Sequence, residues 1–270
     1  MSTIRRLIVP VTASAIVAAA GLSVAACGDL LGGETITGSG ELKTETYDFA
    51  DFAKVDISHA FDAEVTNAEG HSVAVTVDDN IAENLDVRLD GDTLRIGMKG
   101  NDSYRDVTME AAVAMPALSV LKLSGASSAT LGAFESDEPL KIELEGASSV
   151  DCSDMASGSA VFDLEGASKA DCRDVTTGEI TVALQGASSV ALAGTGGNAD
   201  VSAKGASKVD MRGLPVTNAK VKLEGASNAS IDTSGSLDVD LAGSSDLKYS
   251  GEPTLGDIKM SGDSTLERGG

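Results

Sequence analysis

The residues best equipped for chemistry in this chain are four aspartates, Asp151, Asp154, Asp171 and Asp174, with Lys169 and Arg173 among them. Clustered carboxylates in a groove, or a basic residue beside Ca²⁺, are what acid/base cleavage of a polysaccharide requires. The spacing argues against that use. Asp151 and Asp171 are 20 residues apart, as are Asp154 and Asp174, so each pair is a copy made by a repeat. A decorated ladder produces the same pattern with no active site. Other catalytic chemistry lacks material: the histidines are His59 and His71 alone, and no Gly-x-Ser-x-Gly elbow, phosphate loop or dinucleotide fingerprint occurs.

Cation binding is the next possibility. Glu143 and Glu145 on one repeat are followed by Asp163 and Glu165 on the next. Carboxylates about 5 Å apart repel by roughly 0.8 kcal/mol per pair in water, a strain that Ca²⁺ would relieve. The next equivalents, Ala183 and Gln185, interrupt the ladder, and a solvated acidic face is the simpler reading. Gly196-Gly197-Asn198-Ala199-Asp200 is a single, incomplete copy of a calcium nonapeptide. No catalytic, cofactor-binding or metal residue is assigned, and no cofactor is expected.

The elements that carry these residues are set by one motif. A Gly, usually followed by Ala-Ser and flanked by alternating apolar residues, occurs at Gly125, Gly146, Gly166, Gly186, Gly205, Gly225, Gly243 and Gly262. A period near 20 residues with strand-like alternation predicts stacked β-coils, because one such unit cannot bury its own apolar face. The expected fold is all-β, a single-domain right-handed parallel β-helix or solenoid. The inward ladder before the Gly reads Leu123, Leu144, Leu164, Leu184, Ala203, Leu223, Leu241 and Met260. After it come Leu131, Cys152, Cys172, Leu192, Met211, Ile231 and Tyr249. With strands about 4.8 Å apart, the seven intervals make a stack of roughly 34 Å.

Two accounts fit the Gly itself. Either strict alternation turns it into a tight inward corner, or it supplies positive φ in a turn. The serines at 127, 148, 168, 188, 207, 227, 245 and 264 are expected to hydrogen-bond along the stack and satisfy corner backbone. Cys152 and Cys172 are equivalent in adjacent coils. Their Cα atoms fall within disulfide range, but parallel Cβ vectors leave the Cβ atoms slightly too far apart, which favours buried thiols; an oxidising envelope would permit a bridge.

Residues 44–116 continue the alternation without the glycine motif. Val55 through Val65 aligns with Leu121 through Leu131 at every apolar position, which places His59 at a corner and makes this third the irregular start of the same solenoid. Residues 117–265 form the regular coils.

The N-terminus reads as an export leader over 1–26: Arg5 and Arg6, an apolar run from Leu7 to Ala20, then Ala25-Ala26-Cys27. The run is shorter than the roughly 20 residues of a comfortable span, and small residues precede the cleavage point. Ala25-Ala26-Cys27 resembles a bacterial lipobox, so Cys27 is the expected lipidation site; an ordinary signal peptide with a spare thiol is the alternative. Residue 28 is Gly rather than Asp, which by that resemblance favours the outer membrane. Residues 27–43, Gly-rich and aperiodic, are expected to be a flexible tether.

The 270 residues carry a formal charge of -22, and without Arg5 and Arg6 the balance is 18 basic against 42 acidic residues. Such a surface repels nucleic acid and anionic lipid, so the lipid is expected to do the anchoring and nucleic acid is excluded as a partner.

The Gly-Ala-Ser copies, Pro116 through Ser127, and the upstream Val77-Asp78-Asp79-Asn80-Ile81 and Leu94-Arg95-Ile96 resemble the bacterial family described as putative auto-transporter adhesin, head GIN domain. The resemblance covers about residues 45–265. It implies a β-helical, secreted or envelope-anchored protein associated with adhesion, and brings no catalytic residues. Surface polysaccharide or an envelope protein is the expected partner class. A polysaccharide-active enzyme on the same scaffold and a ligand-free spacer are the competing readings.

Overall fold

Alternating apolar residues on either side of each Gly build two strands per coil. In the computed structural model, which describes residues 33–269, these strands stack in parallel from coil to coil. Leu123, Leu144, Leu164, Leu184, Ala203, Leu223 and Leu241 pair in unbroken register and are buried. Leu131, Cys152, Cys172 and Leu192 form the second inward ladder, which resumes with Met211, Ile231 and Tyr249 after an irregularity. Burying each such Leu contributes about 1.5–3 kcal/mol, and further buried columns, Ile142 through Val239 among them, add to it.

The corner glycines have φ between 75° and 90°, which decides for the left-handed turn. The corner is also crowded: the carbonyl of Gly166 accepts the N–H of Ala187 at 2.7 Å, and the same contact recurs from coil to coil. The Ser side chains are buried at seven of the eight positions. Ser188 Oγ donates to the carbonyl of Gln185 at 3.1 Å and lies 3.4 Å from that of Gly166. The shorter bond closes the residue's own corner, and the longer one runs along the stack.

The proposed register for the N-terminal third holds. Lys54–Ile57 pairs with Val120–Leu123 so that Val55 meets Leu121, and Asp62 through Val65 pairs with Ser128–Leu131. His59 takes the corner with φ 81°, and its carbonyl accepts the N–H of Ala126 at 2.6 Å.

Residues 68–116 depart from a purely parallel helix. Thr93–Met98 and Met109–Met115 pair on the far side of the 54–67 coil, so that coil, and not the one next in sequence, contacts the regular stack. Beyond them the pairing turns antiparallel: Leu85–Asp90 on Thr93–Met98, Ser72–Asp78 on Met109–Met115, and Leu42–Tyr47 on Ser72–Asp78. A 3₁₀ turn over Asp79–Asn84 lays Ile81 and Ala82 into the core. This end of the solenoid is capped.

Part of the expected tether belongs to this cap. Thr35–Thr37 pairs with Ser103–Arg105, and the chain around Gly38 and Gly40 is held by Asp78. Residues 27–32 of the tether and the leader lie outside the described residues. Backbone pairing, which composition does not report, orders the Gly-rich stretch from residue 33 on.

Asp78 is 1% exposed and accepts the N–H of Gly40 at 2.6 Å and of Thr108 at 2.7 Å. The N–H of Thr108, then that of Gly40, hold its carboxyl below the usual carboxylate range. A depressed folded pKa gives stability that is present above the unfolded value, about 3.9, and lost as pH falls through the folded one. Asp78→Ala should therefore lower hydrogen-exchange protection at residues 38–42 and 106–109 at pH 7. Wild type should begin to converge on the variant as pH falls below about 4, and do so fully only below the depressed folded pKa. Equal protection at pH 7 would contradict this role.

Candidate functional site

What the coils present outward is a set of short side-chain ladders. On the strand after the corner, Thr130, Asp151, Asp171 and Ala191 are successive partners, so Asp151 and Asp171 lie side by side. Asp171 is tied to its own strand: Arg173 Nε lies 3.4 Å from Oδ1 and Lys169 Nζ 3.9 Å from Oδ2. Asp154 and Asp174 do not join them in a cleft. They occupy left-handed corners with φ 55° and 54°, where Asp is among the residues that tolerate that conformation. The four carboxylates are thus two ladder rungs and two turn residues.

The pattern repeats further along. Asp210 is gripped by Arg212, with Nε 2.9 Å from Oδ1 and Nη2 2.6 Å from Oδ2, and this hydrogen bonding lowers the Asp210 pKa. Arg173 and Arg212 flank an open recess over Ala191 and Gly213. Exposed pairs of this kind contribute about 0–1 kcal/mol each. They leave this side of the solenoid mixed in charge.

The other ladder answers the calcium question locally. Glu143 pairs with Asp163 in register, as expected, but Lys141 bridges them: its Nζ contacts Glu143 and lies 3.8 Å from Asp163 Oδ2. Lys122 Nζ lies 2.7 Å from Glu145 Oε1. Hydrogen bonds to these carboxylates raise the pKa of both lysines. At Glu143, Asp163 and Glu145, lysines two residues or one coil away supply the counter-charge that a metal would. Among the described residues no group of three or more His, Cys, Asp or Glu side chains is placed to hold a metal ion.

Cys152 and Cys172 are joined by a disulfide, with Cα atoms 4.5 Å apart. This corrects the expectation of buried thiols. The Cα atoms approach closer than the 4.8 Å assumed for ideal stacking and lie within the usual disulfide range. His59 is structural in its contacts: Nδ1 accepts from Met98 N–H at 3.3 Å and lies 3.0 Å from Ser58 Oγ. His71 packs against Phe52, with ring centroids 4.5 Å apart. Asp78 is a buried polar residue that spacing did not single out; its sequence signal is the Asp78-Asp79-Asn80 cluster that ends the alternation after Val77 and opens the 3₁₀ turn.

Residues 51–253 match the family described as Putative auto-transporter adhesin, head GIN domain. The chain belongs to this family. Among solved structures, a putative adhesin from Parabacteroides merdae superposes with a TM-score of 0.78 at 20% identity, covering 88% of this chain and 100% of that one. A putative adhesin from Parabacteroides distasonis gives 0.78 at 18% identity over 87% and 100% of the two chains. A protein from the same species described as a putative lipid binding protein gives 0.77 at 14% identity over 88% and 100%. At these identities the likeness establishes the β-solenoid fold and nothing finer. No curated protein matches the chain.

Proposed function

We propose that this family member is a non-catalytic cell-envelope lipoprotein that displays an acidic β-solenoid for adhesion, through glycan or protein contacts. The observation that supports it most is the match of residues 51–253 to an adhesin family, on a fold whose outward residues are periodic. Carboxylates that would serve a hydrolase are repeated rungs, Asp171 with cations of its own, or turn residues at corners. A surface of this kind binds by summing many weak, similar contacts along successive coils. Anchoring is assigned to a lipid on Cys27, which lies outside the described residues, with the outer membrane as the destination. Among the described residues no helix is long and apolar enough to cross a membrane.

The double change Asp151→Asn and Asp171→Asn separates binding from catalysis. Because polar groups recur at equivalent positions on many of the coils and each adds a small, screened term, binding to a polysaccharide or cell surface should stay within a few-fold of wild type. Neither protein should cleave a chain. Loss of a general acid or base costs 10² to 10⁴-fold in rate, so cleavage by wild type that collapses in the double variant would replace the adhesin reading with an enzymatic one.

A further inference from the structure

One strip of the outward face reverses the charge of the chain. Lys169, Asp171 and Arg173 stand at alternate positions on the strand Lys169–Gly186, and Lys208, Asp210 and Arg212 repeat that order on Lys208–Val216. Between the two lies Ser189–Gly205, which presents Ser189, Ala191 and Ala193. Lys169, Ser189 and Lys208 are in register, as are Asp171, Ala191 and Asp210, so two charged walls face each other across a floor of methyl groups. Two strand spacings set the walls roughly 10 Å apart. The open recess between them has a volume of about 410 Å³, within the range of about 300–1,000 Å³ usual for ligand sites.

Four cations against two carboxylates give this strip a balance of +2, on a chain whose total is -22. At physiological ionic strength a charge is felt over about 8 Å, so the strip rather than the total decides what enters the recess. Both arginines keep free donors. The side chains of Arg173 and Arg212 are 73% and 70% exposed, against 24% and 25% for Asp171 and Asp210. Among the described residues the Arg173 side chain donates no hydrogen bond, its Nε lying 3.4 Å from Asp171 Oδ1. Arg212 commits Nε and Nη2 to Asp210 and leaves Nη1 open. Asp151, Asp174 and Asp232 border the strip without forming an ion pair to either arginine.

We infer that the recess holds one unit of a uronate-bearing polysaccharide, its carboxylate between the guanidinium groups of Arg173 and Arg212 and its ring on Ala191 and Ala193. A guanidinium fork matches a planar carboxylate in shape as well as in charge. The methyl floor meets the C–H face of a pyranose, and Asp171 and Asp210 accept from its hydroxyls. The trough runs along the strands and is open above, which suits an internal unit of a polymer. Asn at 171 keeps an acceptor there, so the Asp151→Asn, Asp171→Asn variant still binds within a few-fold. The site rests on the glycan-binding reading above and gives that reading a ligand class.

The test is a titration of the full chain with polygalacturonate, with its methyl ester and with dextran, all in chelator so that Ca²⁺ crosslinks nothing. Polygalacturonate should bind about tenfold or more tightly than either uncharged polymer, and added salt should weaken it. Arg173→Gln and Arg212→Gln should each weaken it about tenfold, the loss of one charge-assisted hydrogen bond. Ala191→Gln fills the floor while leaving each charge in place and should also weaken it about tenfold, by occlusion. Lys220→Gln removes a cation outside the strip and should leave affinity within about twofold. Circular dichroism should be unchanged throughout; should Ala191→Gln misfold, the two exposed arginines still decide. Equal affinity for polygalacturonate and its methyl ester, or an affinity that ignores both arginine changes, would overturn the site while leaving an adhesive solenoid in place. A folded Ala191→Gln that binds like wild type would do the same, since attraction to diffuse charge needs no recess. Binding of none of the polymers would remove the site and the glycan arm of the adhesion reading together.

Discussion

Replacing Gly186 by Val should destabilise the protein by about 3–5 kcal/mol, because two independent costs fall on one residue. Gly186 has φ 90°, where a β-branched side chain is a genuine outlier. A Cβ there would also stand 2.5 Å from the carbonyl oxygen of Gly166, and that oxygen is fixed by its bond from Ala187 N–H. Neither cost is relieved by a local shift, since Gly205 presses on Gly186 as Gly186 presses on Gly166. Gln185→Lys, on the exposed side of the same coil, should stay within about 0.5 kcal/mol. For a protein of this size the Val variant should melt on the order of 10 °C lower. Equal unfolding midpoints for the two variants would refute the corner geometry.

Cys27→Ser should block processing and lipid attachment. The long apolar run of the sequence precedes Cys27, and the chain that follows carries 18 basic against 42 acidic residues, so it has no electrostatic hold on anionic lipid. On the reading proposed above, a lipid on Cys27 supplies the anchor, and the hydroxyl of Ser cannot replace the thiol that would carry it. Fatty-acid labelling and maturation should both fail, leaving an unprocessed precursor. A variant still matured, labelled and membrane-bound would show that Cys27 is a spare thiol behind an ordinary signal peptide.

How much of this could be read from residues alone follows from what periodicity encodes. Alternation states which side chains point inward, so the Leu123 to Leu241 column and the match of Val55 with Leu121 were legible. It does not state which neighbour a strand pairs with or in which direction, because parallel and antiparallel ladders bury the same alternating face. That is why the antiparallel cap over residues 68–116, and the placement of Thr93–Met98 beyond the 54–67 coil, were not. Thr35–Thr37 was lost among glycines for the same reason: its order comes from a partner about 70 residues away. The candidate site was legible in part. Repeat equivalence correctly reduced Asp151 and Asp171 to rungs, but it could not show that Asp154 and Asp174 turn corners, or that Lys141 reaches across two coils. The Cys152–Cys172 bridge turned on a few tenths of an ångström in coil spacing, below what a period can resolve.

The measurement that bears most directly on the central claim is a polysaccharide panel presented to the full chain, with and without Ca²⁺, scored at once for retention and for new chain ends. A non-catalytic adhesive solenoid retains one or more polymers, does so equally with Ca²⁺ or chelator because lysines already neutralise the Glu143 and Asp163 rungs, and releases no new ends. New chain ends generated by wild type and lost in the Asp151→Asn, Asp171→Asn variant would contradict it.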